Sequence, residues 1–128
     1  MLITGNSHSD SRGIIRFVND FDMSQVVRMY CVKPDLGIIR AWQGHQKETK
    51  WFYAAKGSFL VKMVEMDSLV KKEYLLKDTE SIVLEIKGGH YNGFEALEVG
   101  SVLMVFSDFG LEESKGDDFR ESLENINW

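Results

Sequence analysis

The stretch "IIRAWQGHQKETKWFYAAKG", Ile38 to Gly57, reads as two short strands around a polar turn, yet its composition is not that of a core. It carries an arginine, a histidine, lysines and two tryptophans where Val, Ile and Phe would suffice to fill space. Side chains alternate across a strand, so Ile39, Ala41, Gln43 and His45 share one face and Ile38, Arg40 and Trp42 the other. In the second strand Lys50, Phe52 and Ala54 oppose Trp51 and Tyr53. If the first face of each lines an interior, Gln43, His45 and Lys50 converge in an otherwise apolar space, which is the make-up of a small-molecule site. Trp42, Trp51 and Tyr53 are then expected to pack the opposite faces or an interface between chains.

Working outward, the rest of the chain supplies more strands. "GIIRFV", "VVRMYCV", "GIIRAW", "WFYAA", "SFLVKMVEM", "KKEYLL", "SIVLEI", "FEALE" and "SVLMVFS" are short, rich in β-branched and aromatic residues, and separated by Asp, Gly, Asn or Ser. Such a series predicts an all-β sandwich or barrel. The lone proline, Pro34, falls in "KPDLG", a turn by its chemistry. Only "GDDFRESLENINW" has helical spacing, with Phe119, Leu123 and Ile126 on one face and Asp117 and Asp118 at its start, so a short C-terminal helix is expected there. Without repeat or linker, residues 1–128 are expected to form a single domain.

Composition narrows the functions. A formal net charge of −5 argues against a general nucleic-acid binder, and any anionic ligand must meet a local basic cluster. One cysteine, Cys31, supports neither an internal disulfide nor a multi-thiolate metal site. No apolar run is long enough to cross a membrane and no signal-peptide pattern opens the chain, so a cytoplasmic protein without membrane association is expected.

The spacing of Gly37, Gln43, His45, Lys50 and Gly57 is similar to the first cupin motif, whose polar positions hold a His-x-His pair and a glutamate. "IKGGHYNGF" at 86–94 resembles the second cupin motif of dTDP-4-dehydrorhamnose 3,5-epimerases. "DSRG" at 10–13 resembles an Asp-x-Arg-Gly near the start of those enzymes and of dTDP-sugar 3,4-ketoisomerases, and "DDFR" at 117–120 is loosely similar to the close of the ketoisomerases. The resemblance implies an RmlC-like cupin, a jelly-roll barrel or double-stranded β-helix, acting as a homodimer on a nucleotide-linked 4-keto-6-deoxy sugar in deoxysugar or surface polysaccharide biosynthesis.

It also implies roles. His45 would be the base that removes the proton beside the ketone and Lys50 the charge that receives the enediolate. Arg12 and Arg40 would hold the diphosphate, and Gln43, His90 and Asn92 would line the substrate site. Departures sharpen this. Gln43, Lys50 and Asn92 stand at positions where metal cupins carry ligands, so neither metal nor other cofactor is expected. "SVLMVFSDFGLEES" lacks the tyrosine with which the epimerases protonate the opposite ring face, so ketoisomerisation needs fewer missing parts than epimerisation. A non-catalytic cupin that binds a sugar or sugar nucleotide is the alternative.

Overall fold

The computed structural model describes residues 1–128. The nine strand-like segments are strands, and three short ones join them. In chain order these are β1 (Leu2–Thr4), β2 (Asn6–Asp10), β3 (Gly13–Phe17), β4 (Arg28–Val32), β5 (Arg40–His45), β6 (Lys50–Lys56), β7 (Ser58–Glu65), β8 (Lys71–Lys77), β9 (Ile82–Ile86), β10 (His90–Ala96), β11 (Val102–Ser107) and β12 (Phe119–Arg120). One sheet has the order β1-β9-β6-β11-β4 and faces a second with the order β12-β5-β10-β7-β8, while β2 and β3 form a separate hairpin. All pairings are antiparallel. Consecutive strands alternate between the two sheets or hairpin within one, which gives the jelly roll.

Alternation fills the space between the sheets. Phe52 and Ala54 of β6, Phe59, Val61 and Met63 of β7, Leu84 and Ile86 of β9, Phe94 of β10, and Leu103 and Val105 of β11 point inward as one buried cluster. Phe94 stands edge-on to Phe52 at 5.8 Å and to Phe59 at 6.2 Å, a favoured aromatic geometry. The β6–β7 turn depends on the motif glycine Gly57, whose φ is +73° and where a Cβ would come 2.0 Å from Ser101 Oγ.

The outward aromatics pack the outer faces. Trp51 lies against Phe21, with ring centres 5.7 Å apart, and Arg16 lies over Tyr53 at 4.9 Å. Trp42 is buried under Trp128 at the chain's end, and its indole N–H donates to the Ile126 carbonyl at 2.6 Å.

The helix is displaced from where periodicity puts it. Leu111–Lys115 form α1, whereas 117–128 holds β12 and turns. Phe119 and Arg120 pair with Gly44 and Gln43 on the edge of β5, and Asp117 caps a neighbouring loop instead of a helix start. Sheet-edge pairing and a charged cap outweigh the propensity of a marginal, short helix. No helix is long and apolar enough to cross a membrane.

Candidate active site

The space between the sheets is not filled completely. A cavity of about 310 Å³ is lined by Tyr30 and Val32 from β4, Ile39 and Arg40 to Gln43 along β5, Lys50 and Phe52 from β6, Asn92 and Phe94 from β10, and Arg120 from β12. A smaller recess of about 200 Å³ shares Tyr30, Gln43, Lys50 and Arg120 and adds Arg28, Lys115 and Asp118. Phe52 and Phe94 belong both to the core and to the cavity wall, so the apolar cluster ends where the polar residues begin.

Arg40 lines the cavity together with Gln43, contrary to simple alternation. Asn92 pairs with Gln43 but Phe94 pairs with Arg40, so three steps along β5 answer two along β10. This bulge slips the parity by one, and Arg40 and Gln43 both end on the inner side. Trp42, expected only on the outer face, also borders the cavity.

Lys50 is 3% exposed and its Nζ donates to Tyr30 Oη at 3.1 Å and to Gln43 Oε1 at 3.2 Å. Gln43 in turn donates to Asp118 at 3.2 Å, which is held by Arg120 at 2.9 Å, and Asn92 donates to the Gln43 carbonyl at 3.1 Å. Arg40, Lys50 and Arg120, with Arg28 and Lys115 beside them, make a basic region in an acidic protein.

His45 faces inward and is buried, but it is not part of the cavity wall. Its Nδ1 lies 2.6 Å from the Asp117 carbonyl, and a carbonyl only accepts, so Nδ1 carries the proton and Nε2 the lone pair. Nε2 is buried without a hydrogen-bond partner. Burial and the Lys50 charge depress the imidazole's pKa, against the opposing pull of the Asp117 carbonyl and the Glu48 and Asp117 carboxylates. The ring is therefore a neutral base at neutral pH.

Asp117, which lies in the "DDFR" match, and Glu48, which has no conspicuous sequence signal, hold this arrangement. The Asp117 carboxylate accepts the backbone N–H groups of Gln46, Lys47 and Glu48 at 2.8 to 2.9 Å, fixing the turn between β5 and β6. Burial raises its affinity for protons, but the three donors together leave its pKa below the ordinary carboxylate value. Glu48 is fully buried and accepts from Arg28 at 3.2 Å, Ser107 at 2.7 Å and Ser114 at 2.6 Å. Tyr30 did have a signal, since Arg28, Tyr30 and Val32 alternate inward on β4, and Arg120 lies in the "DDFR" match.

Two expected residues are elsewhere. Arg12 is on the β2–β3 hairpin, exposed and paired with Asp10 at 2.6 Å, away from this chain's cavity. His90 Nδ1 donates to the Lys87 carbonyl at 2.9 Å, and the ring borders a second cavity with Glu65 and Tyr74. The first motif retains one imidazole beside an amide and an ammonium, and no three His, Cys, Asp or Glu side chains come together as a ligand set. A cationic lysine beside a single histidine does not fit a cupin metal.

No protein-family model matches the sequence, and no curated protein matches it either. Solved structures do. The chain superposes on the Mycobacterium tuberculosis rmlC epimerase with a TM-score of 0.77 at 20% identity, covering 93% of this chain and 66% of that one. It has the fold of an RmlC-like cupin. QdtA, a sugar 3,4-ketoisomerase from Thermoanaerobacterium thermosaccharolyticum solved with TDP, aligns at a TM-score of 0.75 and 25% identity, over 99% of this chain and 91% of that one. ChmJ, a 3'-monoepimerase from Streptomyces bikiniensis solved with dTDP-quinovose, aligns at 0.82 and 15%, over 99% and 73%. The chain thus spans about two-thirds of the mycobacterial epimerase and nearly all of the ketoisomerase.

Proposed function

We propose that this RmlC-like cupin is an isomerase of a nucleotide-linked 4-keto-6-deoxyhexose, of the 3,4-ketoisomerase kind. The observation that carries the reading is His45, a buried neutral imidazole with its Nδ1 proton engaged and its Nε2 lone pair unanswered. A buried polar atom without a partner costs about 1–3 kcal/mol, a cost that a reacting substrate can relieve. The structures solved with TDP and with dTDP-quinovose support the ligand class, as does the basic region around Arg40, Lys50 and Arg120, which suits a diphosphate.

In this reaction Nε2 takes the proton from C3, the C3–H electrons form the C3=C4 bond, and negative charge collects on O4. Lys50 stabilises that charge. Proton return to C4, with transfer of the C3 hydroxyl proton to O4, gives the 3-keto isomer with no net change in atoms. We assign the C4 proton donor to Tyr30, whose hydroxyl is 3.1 Å from the Lys50 ammonium on the cavity wall; Tyr30 then regains a proton from solvent while His45 releases to solvent the one taken from C3. The reading requires that bound substrate meet Nε2, which no protein group occupies.

A second reading, a cupin that binds the sugar nucleotide without turnover, is favoured by the placement of His45 off the cavity wall. Deuterium wash-in at C3 in heavy water separates the two. Exchange that His45→Gln abolishes supports the isomerase; binding without exchange in the unaltered protein supports the module.

We also propose a homodimer. Met29, Cys31 and Val27 on and before β4 are exposed on the outer side of one sheet, and Ile14 and Ile15 on the hairpin are more than half exposed. Sedimentation of a strict monomer at micromolar concentration would remove this proposal.

A further inference from the structure

We propose that Glu48 is a positioning residue for His45, its buried carboxylate fixing the tautomer and aim of the imidazole and setting how readily Nε2 takes a proton. This rests on the reading of His45 as the base.

The carboxylate is fully enclosed and divides its oxygens between two tasks. Oε2 accepts from Arg28 Nη2 at 3.2 Å and Ser107 Oγ at 2.7 Å, and lies 3.9 Å from Lys50 Nζ. Oε1 accepts from Ser114 Oγ at 2.6 Å and lies 3.5 Å from His45 Nδ1. The Nδ1 proton thus points at the Asp117 carbonyl with an anion beside it, and cannot move to Nε2 without losing both.

A buried carboxylate with this many donors needs a reason, because an apolar side chain would fill the space at less desolvation cost. Glu48 lines neither the cavity nor its recess, so ligand binding does not explain it. Its neighbours do: it stands between the base and the ammonium, and touches both.

The charged and titratable groups around the imidazole come from several packed elements, including His90, its register partner on β10. Lys50 lies on β6, Glu48 on the turn before it, Asp117 and Asp118 ahead of β12, and Arg28 on β4 behind Glu48. Lys50 lowers the proton affinity of His45, whereas Glu48 and Asp117 raise it. Two substitutions therefore act with opposite sign. Glu48→Gln keeps the shape and removes the anion, so His45 becomes a weaker base. Ser114→Ala keeps the anion and frees Oε1 from its hydroxyl donor, so His45 becomes a stronger one.

The experiment uses the full chain, with ¹⁵N NMR of the His45 ring and the pH profile of C3 deuterium exchange on a dTDP-4-keto-6-deoxyhexose. The unaltered protein should show the Nδ1–H tautomer. Glu48→Gln should lower the His45 pKa, carry the acid limb of kcat/KM to lower pH, and reduce kcat several-fold at neutral pH with KM unchanged. Ser114→Ala should move the pKa and the limb upward. Loss of packing alone would shift both variants the same way, alongside their melting temperatures, and that result overturns the proposal, as does an unmoved His45 pKa in both. Should the unaltered protein exchange no C3 proton, the isomerase reading fails, while the opposed pKa shifts still decide the role of Glu48.

Discussion

His45 and Lys50 sit at the centre of the first cupin motif, and their chemistry is tested one side chain at a time. His45→Gln should leave the fold intact and lower C3 exchange by about 10²- to 10⁴-fold, the loss typical of a general base. Lys50→Met should cost about 3 kcal/mol of barrier, measured as kcat, by removing the charge that meets the developing oxyanion. Tyr30→Phe separates two steps: C3 exchange should persist while net conversion, followed by NMR of the sugar, falls. A Tyr30→Phe protein that converts substrate at the unaltered rate would remove the donor assignment. Parity brought Gln43 and Lys50 into one space, and the resemblance pointed to Asn92 beside them, whereas His45, of the same parity as Gln43, stays off the cavity wall. Arg40 reached the cavity by a bulge, which leaves no mark in the local composition of β5.

Elements are held by contacts that join distant parts of the chain. The turn between β5 and β6 hangs on the Asp117 carboxylate, about 70 residues away in sequence. Asp117→Asn replaces one accepting oxygen by a donor and leaves the Lys47 and Glu48 N–H groups facing it. The expected cost is about 3 kcal/mol, read from urea midpoints, since charge-assisted bonds are worth about 1.5–3 kcal/mol each and are only partly lost. Gly57→Ala should also destabilise, because the turn's left-handed φ and the Ser101 side chain both exclude a Cβ. The short C-terminal helix forms at Leu111–Lys115, ahead of the stretch whose periodicity predicted it. That stretch's acidic start was read as a dipole partner, whereas Asp117 caps a loop and Phe119–Arg120 extend a sheet edge.

For the molecule as a whole, acid stability should fall in two stages. The folded pKa of His45 lies below its ordinary 6.5, so the unfolded chain binds the proton more readily. Stability is full above pH 6.5 and is lost as pH falls from there toward the folded value. Asp117 and Asp118 are likewise depressed below 3.8, Asp118 by Arg120 and Gln43 against the effect of burial, and their contribution is lost as pH falls below 3.8. Urea midpoints against pH should show both declines. His45→Gln should erase the first alone, and a profile flat between pH 7 and 5 in the unaltered protein would contradict the assignment.

What the sequence determined by itself was the all-β class, the nine principal strands and the polar content of the space between the sheets. Alternation and turn residues are local properties, and they persist through packing wherever a strand has a partner on each side. The cupin resemblance rested on glycines and polar positions at set spacings, which survive at low identity because each answers to a turn or an inward face. Tertiary structure alone decided which polar residues meet. The Glu48 and Asp117 contacts, the slip that turns Arg40 inward, the separation of Arg12 and His90 from the cavity, and the burial of His45 depend on loops and register. Those are settled by where buried charges and backbone N–H groups find partners, and no short window of sequence contains both members of such a pair.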